Sequence, residues 1–163
     1  MKKRSVVAAS IFLRLVVVFL GLGALAFLLW EPHVEGRNAN AGLVDIYFRD
    51  PLLAYAYVGS IPFFVGLYQA IRALGWVAQG RALSSATLKA LRIIRKCAVL
   101  VVGFILVGEL FLLLEESDDR AGGVAIGVVL TFASVVVVAS VSVIERILEE
   151  GLEMKMGGSG VLV

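Results

Sequence analysis

The sequence predicts an all-α integral membrane protein, a four-helix bundle with both termini cytoplasmic, and three observations carry that prediction. The first is composition. The 163 residues are 60% hydrophobic and 17% charged, with a mean hydropathy of +0.97, whereas a soluble domain is about a quarter charged and about half apolar. Water cannot solvate such a surface, so lipid is its solvent. The second is a set of four apolar stretches, Val6 to Trp30, Leu52 to Val77, Cys97 to Leu114 and Ala121 to Ile144. Each matches the roughly 20 residues that a helix needs to cross about 30 Å of hydrocarbon. The third is the alternation of charge in the linkers, which sets the orientation. The whole chain, 1–163, reads as one transmembrane domain, with a cytoplasmic loop at 78–96 and a cytoplasmic tail at 145–163.

The first span follows Lys2, Lys3 and Arg4. A basic start and an apolar run also open a signal peptide, but such a peptide needs only about 7 to 15 apolar residues. This run is longer, and no small-x-small cleavage site precedes Glu31, so it reads as a retained span. The linker from Glu31 to Pro51 holds Arg37 and Arg49 beside four acids. His33, the only histidine, stands next to Pro32 in what reads as a loop, where a solvated side chain is expected rather than a metal ligand. Tyr47 and Phe48, just before Arg49, are placed to lie on the membrane surface.

Span two holds Pro62, whose missing amide and ring predict a kink, with Ser60 near enough to satisfy a freed carbonyl. Arg72 lies close enough to the inner end to extend its charge to the interface, and Trp76 marks that interface as Trp30 marks the opposite one. The middle loop carries Arg81, Lys89, Arg92, Arg95 and Lys96 without an acid. Gly80 permits a turn there, and Ser84 or Ser85 can cap a helix over Ala86 to Lys96, with Leu88, Leu91 and Ile94 to one side. These cations hold the topology and touch anionic lipid, or form a docking surface for a partner.

Between spans three and four, Glu115 to Arg120 carries one arginine beside four acids. Every linker therefore places the amino terminus, middle loop and carboxyl terminus inside. Runs such as Val135 to Val138 favour strands in water, but an open sheet edge cannot face lipid, so helix prevails. Gly123, Gly127 and Thr131 recur every four residues and mark a close-packing face, first within the bundle and second for a homo-oligomer. Gly103 and Gly108 add little to either. Beyond Ile144 the acids and leucines continue helix four as an amphipathic extension whose acids can meet the basic loop, as weak docking at most. Gly157 to Gly160 then end it, with the composition of a flexible linker.

A charge inside hydrocarbon costs about 2.5 to 3.5 kcal/mol on insertion scales and needs a reason. Arg14, Glu109 and Arg72 are the candidates. Counted from the inner end of each span, Arg14 and Glu109 fall at similar depths, which suggests an interhelical ion pair, structural first and a proton or ion pathway second. Cys97 is the only cysteine, so neither an internal disulfide nor a cysteine metal cluster can form. The net charge of +2, with its cations spread along span flanks, gives no nucleic-acid site. Without a phosphate loop, a metal triad or a serine with histidine and acid partners, no enzyme, cofactor or metal is expected.

Three segments resemble a known family: Leu67, Tyr68, Gln69 and Ala70 in span two, GRALSSATLKALRIIRKCA from Gly80 to Ala98, and ERILEEGLEMK from Glu145 to Lys155. The family is a small bacterial four-span membrane group catalogued as domain of unknown function 2975. The resemblance covers nearly the whole chain and brings no catalytic residue with it. It implies a bacterial cytoplasmic membrane and a cytoplasmic partner such as a small helix-turn-helix regulator. Family members commonly end in an acidic Asn-Asp motif before an apolar triplet, whereas here Gly157 to Gly160 precede Val161, Leu162 and Val163. The expected role is a non-enzymatic, regulatory membrane module with a cytoplasmic partner surface; the alternative is a small transporter or ion-coupled protein that uses Arg14 and Glu109.

Overall fold

The computed structural model describes residues 2–34, 51–114 and 120–159. They form four helices: α1 (Lys2–Val34), α2 (Pro51–Ala78), α3 (Ser85–Leu114) and α4 (Arg120–Ser159). All four are long and apolar enough to cross a membrane. At about 1.5 Å per residue, the 40 residues of α4 measure about 60 Å, twice the hydrocarbon thickness. The basic segment before span three and the amphipathic segment after span four are both helical, as their patterns predict.

The bundle is assembled in chain order, α1 on α2, α2 on α3 and α3 on α4. In α1 the side chains withdrawn from the surface are Val7, Ser10, Arg14, Val17, Gly21, Ala24 and Leu28, at alternating steps of three and four, and every other described side chain of that helix is exposed. Along α4, Gly127, Thr131, Ser134, Val138, Val141, Glu145, Leu148 and Leu152 form a similar line. A spacing that averages 3.5 residues is the seam of helices packed knobs into holes. With a single seam each, α1 and α4 are the edges of the bundle.

The inner helices α2 and α3 carry two seams. Between them Gly108 meets the Tyr55 ring, Gly59 meets Phe104 and Gly66 meets the Cβ of Cys97, so contacts climb one helix as they descend the other. Seven residues beyond Gly66 and Cys97, Ala73 and Ala90 fall on the same line, and both are buried. Tyr55 donates its hydroxyl to the Phe104 carbonyl at 2.8 Å, and Tyr57 donates to the Leu28 carbonyl of α1 at 2.6 Å. These bonds relieve polar groups that lipid cannot satisfy.

Gly80 ends α2. Its φ of +76° is the left-handed region that a side chain rarely enters. The Gly80 amide donates to the Val77 carbonyl at 3.0 Å and the Arg81 amide to the Trp76 carbonyl at 2.8 Å, a Schellman closure. Of the two candidate caps, Ser84 is the one used: its Oγ accepts the Thr87 amide at 3.2 Å.

Three local readings change. Pro32 and His33 belong to the last turn of α1, not to a loop. Ser60 donates to the Tyr57 carbonyl rather than to the one that Pro62 frees within α2. At the far end, α4 continues through the glycines to Ser159. The surface role read for Tyr47 and Phe48 lies outside the described residues.

Candidate functional site

Arg14 occupies the α1 seam and faces α2 at Gly75, where the absent side chain makes a notch: a Cβ there would collide with Nη2 and approach Cζ at 3.3 Å. Its Nε is buried with no hydrogen-bond partner among the described residues. Gly75 lies three residues before the end of α2, so the guanidinium sits at the negative end of that helix dipole. The end of the bundle that holds the α2–α3 turn, here the turn end, is therefore where Arg14 reaches.

Glu109 occupies a second notch. A Cβ on Gly127 of α4 would collide with its Oε1 and approach Cδ and Cγ at 2.9 Å. Oε1 is buried without a hydrogen-bond partner among the described residues, and so is the Thr131 Oγ1 one turn along α4. Gly123 takes Leu112 of α3, at 3.1 Å from an added Cβ. The faces of Gly123 and Gly127 are thus used inside the chain, against α3.

Arg14 and Glu109 do not pair. One lies near Gly75; the other adjoins Gly108, which meets Tyr55. Those α2 residues are far enough apart to separate the two charges by about 30 Å along the axis. The similar depths followed from treating Val6 and Cys97 as level. In the fold Cys97 lies against Gly66, twelve residues inside the end of α2, so α3 enters the bundle with its basic segment already alongside apolar α2.

That basic segment meets the acids of α4. Glu145 is buried, only 4% exposed. Its Oε1 accepts from Arg92 Nε at 3.2 Å, and its Oε2 lies 3.2 Å from Arg95 Nη1. Arg92 Nη2 also donates to Glu149. Further along, Leu83 of the turn fits against Gly151, at 2.9 Å from an added Cβ. The acidic tail thus docks on the basic loop through a junction with a buried carboxylate at its centre, where the sequence predicts exposed pairs. The missed signal was Glu145 itself, the first acid after a long apolar run.

Arg72 is exposed and lies over two rings of its own helix, 5.7 Å from the Tyr68 centroid and 5.1 Å from that of Trp76. Arg81, Lys89 and Lys96 are exposed and meet no carboxylate among the described residues. No group of three or more His, Cys, Asp or Glu that could hold a metal occurs among the described residues.

A family model described as Protein of unknown function (DUF2975) matches residues 37–156. The chain belongs to the DUF2975 family. Its match takes in α2, α3, Glu109, Gly127 and the Glu145 junction, while Arg14 precedes it. The chain is 33% identical over 149 residues, 90% of its own length and 93% of the relative's, to the "Uncharacterized membrane protein YoaS" of Bacillus subtilis (strain 168). No solved structure matches. The DUF2975 chain is thus a membrane protein with four candidate spans, of a family whose function is not known.

Proposed function

We propose that this DUF2975 protein is a non-enzymatic, regulatory module of the bacterial cytoplasmic membrane, with its turn end and both termini in the cytoplasm and a soluble protein as its partner. The Glu145 junction is the observation that supports it most. By fixing the end of α4 to α3, it holds the tip of the bundle in place, where Leu83, Met154 and Met156 are 48%, 73% and 67% exposed. Arg81, Glu153 and Lys155 are exposed as well. Exposed methionines next to charged residues suit an adaptable protein contact. Retention of lysine and arginine on the inner side supports the orientation. A small helix-turn-helix regulator is the kind of partner that the family resemblance implies.

The ion-coupled alternative loses its shared site, because Arg14 and Glu109 occupy different seams. A photo-crosslinking residue at Met154 or at Leu83, in the full chain in its own cell, tests the module reading. The expected result is an adduct with one soluble protein, lost in Glu145→Gln; adducts with lipid alone at both positions would overturn it.

A further inference from the structure

Because Cys97 lies against Gly66, the basic start of α3 runs beside the last three turns of α2, whose only charge from Leu67 to Ala78 is Arg72. The α3 cations therefore stand at the height of an apolar neighbour, not beyond it in water. A cation held at that height needs a counter-charge. Glu145 and Glu149 supply it to Arg92 and Arg95, and Arg146 meets Glu150 at 3.7 Å. Arg72, Lys89 and Lys96 have no carboxylate among the described residues.

Helical geometry puts those three on one surface. At about 100° per residue, Arg72 and Trp76 project from the flank of α2 that faces neither α1 at Gly75 nor α3 at Gly59 and Gly66. Lys89 and Lys96 project from the flank of α3 that faces neither α2 at Cys97 nor α4 at Glu109. For antiparallel neighbours in this register the two flanks are the same side, and Arg72 stands at a height between the two lysines. Tyr68 and Trp76 border it, the ring types that settle at headgroup level.

We propose that this flank of α2 and α3 is a binding site for an anionic phospholipid, with Arg72, Lys89 and Lys96 on the headgroup phosphate and Trp76 against the glycerol region. A lipid fits better than a free phosphate because the cations emerge from an apolar wall that acyl chains must cover in any case. The site is separate from the partner surface at the tip, and neither reading requires the other.

Native mass spectrometry of the full chain in detergent tests it, with phosphatidylglycerol and phosphatidylcholine offered in turn. The wild-type chain should retain phosphatidylglycerol at least about tenfold more strongly. Arg72→Gln/Lys89→Gln/Lys96→Gln should remove that preference, while Arg81→Gln/Arg146→Gln/Lys155→Gln, with the same loss of charge, should keep it. Arg72→Lys/Lys89→Arg/Lys96→Arg, which changes the residues and keeps the cations, should also keep it, separating lost charge from lost folding. Equal loss in the two charge-removing variants, or no loss in the first, would overturn the site. Displacement of the lipid by millimolar inorganic phosphate would overturn its assignment to lipid.

Discussion

The carboxylate of Glu109 rests on the bare backbone of Gly127, one helix away. Arg14 repeats the relation on Gly75. Both of these charges are accommodated by a glycine on the neighbouring helix rather than by an opposite charge. Two long polar side chains can enter seams only where the facing residue has no Cβ, so these glycines are set by the charges opposite them.

A methyl group at Gly127 should therefore push Glu109 out of its seam. Gly127→Ala is expected to destabilise the bundle by about 1 to 3 kcal/mol, the usual cost of overpacking. In a Glu109→Ala background the same substitution should cost much less. Thermal unfolding of the four proteins in one detergent measures the coupling, and additive effects would show that the contact carries no energy.

Other glycines should respond according to their surroundings. Gly75→Ala displaces the Arg14 guanidinium, and Gly80→Ala places a side chain at a φ of +76°, a strain of about 1 to 2 kcal/mol. Gly103 has nothing within 4 Å of an added Cβ. Gly103→Ala should thus be neutral or stabilising by up to about 1 kcal/mol through helix propensity. A melting temperature lowered by Gly103→Ala as much as by Gly75→Ala would contradict the notch account.

The spans, the helical extensions and the cap at Ser84 were legible because length, charge and capping residues are local signals. Rotation and register were not. In α1, apolar side chains surround the helix, so no hydrophobic face marks the seam; the available clue was the small or polar residues Ser10, Gly21 and Ala24 in step with Arg14. The depth of Glu109 was misplaced because Cys97, the first residue of an apolar run, was set level with Val6, whereas it packs against Gly66 well inside α2. Gly75 looked like any other glycine until Arg14 was set against it.

The junction should depend on Glu145 far more than on Glu149. Glu145 is buried and serves Arg92 and Arg95, whereas Glu149 is 39% exposed and serves Arg92 alone. Glu145→Gln leaves two guanidinium groups without their shared carboxylate and should free the segment after Ile147 from α3. Hydrogen exchange should then speed up across Leu148 to Lys155, with little change in Glu149→Gln. Equal protection in both variants would show that Leu148, Leu152 and the Leu83 contact at Gly151 hold the tail by themselves.

Orientation can be read with the single native thiol left in place. Cys97 is buried against Gly66, so it should stay silent toward a membrane-impermeant maleimide while the bundle is folded. Gln79→Cys adds an exposed thiol in the α2–α3 turn. It should resist labelling in intact cells and react in inside-out vesicles, because the cations around that turn favour the cytoplasmic side. Labelling in intact cells would place the turn end outside, and with it the tip that the proposed soluble partner must reach.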